Sequence, residues 1–343
     1  MAKKGLENFT DKVAKELIQK QSIRDEERRK REEYLANKHR EAANLNNDIQ
    51  LYIDKLDNII NITPNEISIE EFIKNNIEEL PKELLTPYTK PEKAIIRKPT
   101  IIEKIFTKPK KNYNLYVKAE NEKYENEYRL YEENEINRNN EINKYNLKKE
   151  EIIKSKKELY KNKDEKFISE YKKELLNQIQ YPFEFKKCIN TDYCKESKKL
   201  VIDYLLPDTK IVPNTMKYEY KKIIDGIKPI PTNEKDRNNI YNQAIYSIAL
   251  NSIKNIFNKD IDNNIDTIVF NGYINDVDLS TGKDNSPYII SAMVDKDTFK
   301  AIDINKIDKF KCLTETMQAR VDINSNSSLN SITPIYKFDY LNN

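Results

Sequence analysis

Residues 267–273 read TIVFNGY and residues 288–294 read YIISAMV. Both gather β-branched and aromatic residues over strand-length runs, and Ser280-Thr281-Gly282-Lys283 between them has the chemistry of a turn. The pair predicts a β-hairpin. Working outward, 200–206, 218–224 and 335–338 read as further strands. Between them, 238–257 repeats Ile240, Ala244, Ile248, Ile253, Ile256 and Phe257 at helical spacing, which predicts an amphipathic helix lying on the sheet. The segment 181–343 is therefore expected to form a compact α+β domain with a mostly antiparallel or mixed sheet. Its length of about 160 residues is enough for a real core.

The chain before this domain has a different texture. Residues 1–61 predict one long charged helix, free of proline and, after Gly5, of glycine, and its end carries a 4-3-4-3 apolar seam of Leu45, Ile49, Tyr52, Leu56 and Ile59. Prolines at 64, 81, 87, 91, 99 and 109 then exclude a continuous helix over 62–112, leaving a connector with at most a short helix near 69–80. A second proline-free stretch, 113–180, would span roughly 100 Å as a helix. Its seam is partly heptad-like (Tyr124, Tyr128, Tyr131, Ile142, Tyr145, Ile152, Leu159), but Glu135, Arg138, Lys149, Lys156 and Lys163 interrupt it. The whole reads as a long charged helical hairpin or coiled-coil arm joined to the α+β domain.

Composition narrows the function classes. The 343 residues hold 60 basic and 57 acidic side chains, a net charge of +3, so a polyanion partner must be sought in local charge rather than in the total. With 34% charged residues and no stretch approaching 18 apolar ones, no membrane span is expected and the reading is cytoplasmic. Cys188, Cys194 and Cys312 are too few and scattered for a disulfide framework. A zinc site built on them would lack a fourth nitrogen or sulfur ligand, because the single histidine, His39, lies far away in sequence.

Several motifs invite chemistry. Pro207-Asp208 followed by Glu219-Tyr220-Lys221 has the PD-(D/E)xK spacing of metal-dependent nucleases, in which two carboxylates hold a divalent cation and the lysine helps to activate water. The chain is crowded with Asp, Glu and Lys, and Pro213 interrupts the hairpin that should carry the carboxylates to one point, so a coincidence of spacing is the favoured reading. Thr281-Gly282-Lys283 lacks the upstream glycine of a phosphate loop, and Asp276, Asp278 and Asp284 lack the ligand order of a calcium loop. Cys188 and Cys194 have no general base nearby in sequence. No cofactor and no bound metal are expected. The strongest local charge is in the connector, where Lys90, Lys93, Arg97, Lys98, Lys104, Lys108, Lys110 and Lys111 face only Glu92 and Glu103. These eight are the candidate nucleic-acid contacts, against the plainer alternative of a solubilising loop. The Arg28-Arg29-Lys30-Arg31 cluster is weaker, because Asp25, Glu26, Glu27, Glu32 and Glu33 surround it.

Ordered landmarks run through the α+β segment. They are Val201-Ile202-Asp203-Tyr204 with Leu206-Pro207, Ile211-Val212-Pro213, Tyr218-Glu219-Tyr220, Thr267-Ile268-Val269-Phe270-Asn271-Gly272, Asp276 and Asp278 with Thr281-Gly282, Lys311-Cys312-Leu313, and Pro334-Ile335-Tyr336-Lys337-Phe338-Asp339. In this order they make 200–339 resemble the region upstream of the nuclease domain in long Mrr-type restriction endonucleases, and the charged helices with a basic connector resemble the arm such proteins carry. In that family the nuclease domain follows the last landmark, whereas this sequence ends at Asn343. The resemblance therefore implies the non-catalytic recognition and assembly portion of an Mrr-like restriction, or anti-phage defence, system. The partners it implies are DNA, a nuclease subunit encoded nearby and a second copy bound through the helical arm, with no membrane. A structural coiled-coil adaptor without a nucleic-acid role, and an active nuclease using Asp208, Glu219 and Lys221, are the rival expectations.

Overall fold

A computed structural model of the chain describes residues 2–65, 67–278 and 280–336. Helix α1 (Ala2–Asp57) runs into a 3-10 turn, Asn58–Asn61. The chain divides into two compact units, one of Met1–Glu66 with Ile168–Asn343 and one of Ile67–Phe167. The first long helix thus belongs with the α+β fold, and the connector belongs with the second long helix, unlike the four-part division expected from sequence.

In the unit Ile67–Phe167 the connector is not a loose loop. It contains α2 (Ile69–Asn75), α3 (Lys82–Leu85) and α4 (Ile101–Ile105), and it runs antiparallel along α5, Thr107–Lys161. At 55 residues α5 is about 80 Å long. A ladder of contacts records the pairing in order. Glu70 meets Lys157 at 2.6 Å, the Tyr145 hydroxyl donates to the Glu78 carbonyl at 2.7 Å, and Arg138 donates to the Leu84 carbonyl at 2.9 Å. The Tyr88 N–H then donates to Glu135 at 2.6 Å, Lys90 lies over the Tyr128 ring, and Arg97 lies over Tyr113 and Tyr116. Glu135 and Arg138, which break the apolar seam, are thereby explained: they pair with each other and hold the Leu84 carbonyl and the Tyr88 N–H, backbone groups of the proline-rich strap left over at and after the end of α3. The hairpin is thus a helix against a strap.

The expected helix over 113–180 is also corrected. It starts at Thr107 and breaks after Lys161, where Lys163 takes a left-handed conformation (φ 55°) and the Asp164 carboxylate accepts from the Phe167 N–H at 2.9 Å, starting α6, Glu165–Asn177.

The other unit is built on a four-stranded mixed sheet, as an α+β fold. Strands β1 (Ile189–Cys194), β2 (Lys199–Leu205), then β3 (Thr215–Lys221) and β4 (Gly226–Pro231) precede the long helix α7 (Glu234–Asn258). Strands β5 (Thr267–Tyr273), β6 (Asp276–Asp278), β7 (Lys283–Asn285) and β8 (Tyr288–Asp295) and helix α8 (Lys296–Lys300) follow. The order is β1-β2-β5-β8, with β2 and β5 parallel and the outer pairs antiparallel. The expected hairpin is present as β5 and β8, its tip extended by the short β6–β7 ribbon with Gly282 at φ +66°. Gly272 is required by packing, since a Cβ there would lie 2.5 Å from Leu206 Cδ1 and 2.6 Å from Ile290 Cγ2.

Some strands are not where the sequence put them, and others were not foreseen at all. The strand expected over 218–224 is β3, which ends at Lys221, and β1 and β4 carried no apolar run to announce them. Of the strand expected over 335–338, Ile335 and Tyr336 form a bend, and Lys337 and Phe338 lie outside the described residues.

The apolar seam of α1 is real, but in this structure it is used inside the chain. The end of α1 lies along β3 and against α7. The Asn46 amide pairs with both the N–H (2.6 Å) and the carbonyl (3.0 Å) of Tyr218, closing a strand edge that β4 leaves open on the other side. Helix α7 is consequently buried on both faces rather than amphipathic. Asn251, fully buried, donates to the carbonyls of Ile59 and Ile62, and Lys254 donates to that of Ile60, so polar residues of α7 satisfy the orphan carbonyls at the end of α1.

Candidate nucleic-acid interface

The eight basic candidates divide by structure into two groups. Arg97 is engaged in holding the hairpin turn together. Its guanidinium makes two hydrogen bonds with Glu103 (2.8 and 2.7 Å) and lies 5.2 and 5.4 Å from the centroids of Tyr113 and Tyr116. Glu103 also accepts from the Thr100 N–H in the capping box that starts α4. The Arg97 hydrogen bond first, and then the Thr100 N–H, hold the Glu103 carboxyl at about 2. Lys90 lies against Tyr128, 5.3 Å from its ring centroid. Lys93, Lys98, Lys104, Lys108, Lys110 and Lys111 are exposed and make no ion pair among the described residues.

Lys104, Lys108, Lys110 and Lys111 flank the turn between α4 and α5, and Lys93 and Lys98 lie on the strap that leads to it. The start of α5 breaks the usual helix-end rules: no side chain caps it, its first turn holds no acidic residue, and Lys108, Lys110 and Lys111 oppose the positive end of the helix dipole. Other helix starts differ: α3 also lacks a side-chain cap, though Glu83 lies in its first turn. Helices α2 and α4 have complete capping boxes, and α7 and α8 are capped by Asn233 and Asp295.

The sequence did not single out the apolar side chains of the same turn. Ile95 is 97% exposed, and Ile101, Ile102, Ile105, Phe106 and Leu115 are each more than half exposed. The available signal was an apolar Ile101-Ile102…Ile105-Phe106 group inside a charged, proline-flanked connector.

The nuclease-like motif is dispersed into local pairs. Asp208 caps the 3-10 turn Thr209–Ile211 and is held by the Lys210 N–H at 2.7 Å and ammonium at 3.0 Å. Glu219, on β3, lies between Lys221 (2.7 Å) and Lys217 (2.9 Å), whose hydrogen bonds hold its carboxyl at about 2. No hydrogen bond or ion pair among the described residues links Asp208 to Glu219 or Lys221. Asp284 is paired with Val277 across the β6–β7 ribbon and so falls on the face opposite to Asp276. Cys188 and Cys194 are exposed and Cys312 is buried. Among the described residues no group of three or more His, Cys, Asp or Glu is arranged to hold a metal ion.

One polar constellation of the sheet was legible only as single polar residues inside apolar strands. Asp203, Asn271 and Ser291 are in register across β2, β5 and β8 and are fully buried. Asp203 accepts from Asn271 (2.9 Å) and from the Tyr288 hydroxyl (2.7 Å), and Ser291 donates to Asn271 (2.7 Å). Asn271 also donates to the Tyr336 carbonyl and Ser291 accepts from the Ile335 N–H, so the row anchors residues 335–336 to the sheet. With no exposed surface on these three side chains, the row acts as a structural clasp.

Compared with the models of protein families, with curated proteins and with solved structures, the chain matches none. No described helix is long and apolar enough to cross a membrane.

Proposed function

We propose that this chain is the non-catalytic recognition and assembly module of an Mrr-like restriction system, acting in the cytoplasm and contacting DNA through the turn of the α4–α5 hairpin. The resemblance over 200–339 supports the restriction reading. The observation that carries the DNA contact is the set of exposed lysines, without ion pairs among the described residues, that flank the uncapped start of α5 (Lys104, Lys108, Lys110 and Lys111) or lie on the strap leading to it (Lys93 and Lys98). Phosphates suit this arrangement, because each lysine that neutralises one releases a condensed counterion.

In this reading the α+β unit holds a nuclease subunit, and self-association falls to the part of α1 where Leu17, Ile18 and Ile23 are exposed. The test is fluorescence anisotropy of a labelled duplex titrated with the full chain at several salt concentrations. DNA-backbone binding predicts affinity that falls steeply with salt and varies little with sequence. A scaffold without a nucleic-acid role predicts no binding at any salt, and that result would remove DNA from the proposal.

A further inference from the structure

The turn between α4 and α5 inverts the usual division of labour on a protein surface. Its polar groups are directed inward to fix its shape: Arg97 clamps Glu103, Glu103 and Thr100 complete the capping box, and the Tyr113 hydroxyl donates to the Arg97 carbonyl at 2.8 Å. Its apolar side chains face solvent instead. Phe106, in extended conformation (φ −97°, ψ 135°), is the single non-helical residue between the two helices, and with Ile105 it projects from a braced turn. Lys104 stands immediately before this pair, and Lys108, Lys110 and Lys111 follow just after it.

A solubilising loop has no use for exposed isoleucine and phenylalanine, and contacts to phosphate alone do not need them. A preformed apolar point flanked by cations has the chemistry that opens a base step: one or two side chains enter between neighbouring base pairs, and the flanking cations hold the phosphates on either side. The density of charge favours a nucleic acid over a lipid surface. Duplex DNA carries a charge about every 1.7 Å of its axis, whereas anionic headgroups in a mixed bilayer are dilute. A second copy of the same turn would bring lysines against lysines.

We infer that Ile105 and Phe106 form a wedge that enters a duplex and unstacks a base step, kinking the DNA, with Ile101 and Ile102 against the groove wall. This rests on the DNA reading above and adds to it a deformation that phosphate contacts do not require. The kink expected of such wedges is about 20–90°.

The experiment uses the full chain, a duplex of about 30 base pairs with donor and acceptor dyes at its ends, and a second duplex carrying 2-aminopurine. Wild type should raise end-to-end energy transfer and increase 2-aminopurine fluorescence several-fold on binding. Ile105→Ser/Phe106→Ser alters exposed side chains only, and far-ultraviolet circular dichroism checks that it stays folded. It should keep the salt dependence of binding, lose less than about tenfold in affinity, and lose both spectroscopic changes. Binding by wild type without either change overturns the wedge and leaves the phosphate contacts standing. No duplex binding at all overturns both readings. Capture instead by phosphatidylserine–phosphatidylcholine vesicles, abolished in Ile105→Ser/Phe106→Ser, assigns the turn to a membrane surface and likewise overturns the inference.

Discussion

Replacing Asp260 with alanine should be among the most damaging single changes in the chain. Asp260 lies just after α7, and its carboxylate is shared by two lysines. Lys172 of α6 approaches at 3.5 Å and Lys296, at the start of α8, at 2.8 Å; the Lys172 and Asp260 side chains are only 2% and 1% exposed. The carboxylate also accepts from the N–H groups of Asn264 and Ile265. Burial alone would raise the Asp260 carboxyl, but Lys172, Lys296 and the Ile265 N–H together hold it below its ordinary value. The arrangement is asymmetric, with two cations on one anion. Removing the anion strands both cations and frees two backbone donors, which should cost at least about 3–5 kcal/mol, a large part of the roughly 5–15 kcal/mol of a typical domain.

Lys172→Met, by contrast, leaves a neutral Asp260–Lys296 pair and should change stability by no more than about 1 kcal/mol in either direction. The damage should also depend on pH. Burial holds the Lys172 ammonium below its ordinary value, so the native state releases that proton at lower pH than the unfolded chain does. The penalty is therefore complete near neutral pH; it shrinks as pH falls through the native Asp260 value, where the wild type loses the anion too, and it is relieved as pH rises through the native Lys172 value towards the ordinary lysine range. Urea unfolding followed by circular dichroism, for wild type and both variants at neutral pH and near pH 9, gives the comparison. A loss below about 1 kcal/mol in Asp260→Ala, or equal losses in the two variants, would show that Asp260 does not hold the two buried lysines.

Other consequences can be checked on the same protein. Gly272→Ala should destabilise by about 1–3 kcal/mol through overpacking against Leu206 and Ile290, read as a lower denaturant midpoint with unchanged slope. Burial raises Tyr204 and Tyr241 and pushes Tyr181 up to about 12. The unfolded chain then loses these protons first as pH passes about 10, so stability should fall above that pH, and a tyrosinate absorbance titration should show these groups ionising only with unfolding. Asp208→Ala and Glu219→Ala should leave the fold and any DNA processing unchanged, whereas loss of a magnesium-dependent cleavage in either variant would restore the nuclease reading.

The sequence revealed most where burial and backbone preference agree. Residues 267–273 and 288–294 are strands because their β-branched residues face a core on a turn that Gly282 permits, and both signals are local. Strand β1 escaped because only Ile189 and Tyr193 are buried, with the polar Asn190, Thr191 and Asp192 between them. Strand β4 escaped because Pro229 and Pro231 argue against a strand, yet an edge of a two-stranded ribbon tolerates them.

Periodicity showed which side of α1 is buried, but not against what: the seam faces β3 and α7, contacts between residues nearly two hundred positions apart. The same limit hid the strap. Prolines correctly excluded helix from much of 62–112, but nothing local states that Tyr145, Arg138 and Glu135 would bind its backbone. At the candidate interface the lysines were legible as charge. Which of them remained available was not, because Arg97 is withdrawn by Glu103 and two tyrosines that only the fold brings together.

Whether the lysines at the α4–α5 turn bind the DNA backbone is read most directly from the salt dependence of duplex affinity in wild type and in Lys108→Glu/Lys110→Glu/Lys111→Glu. If all six exposed lysines contact phosphate, the plot of log K against log salt should have a slope of about −5, flattening to about −3 or less when three are removed. Affinity should fall alike on every sequence, with the circular dichroism spectrum unchanged. Equal affinities and equal slopes for the two proteins would contradict that contact and leave the chain as a scaffold.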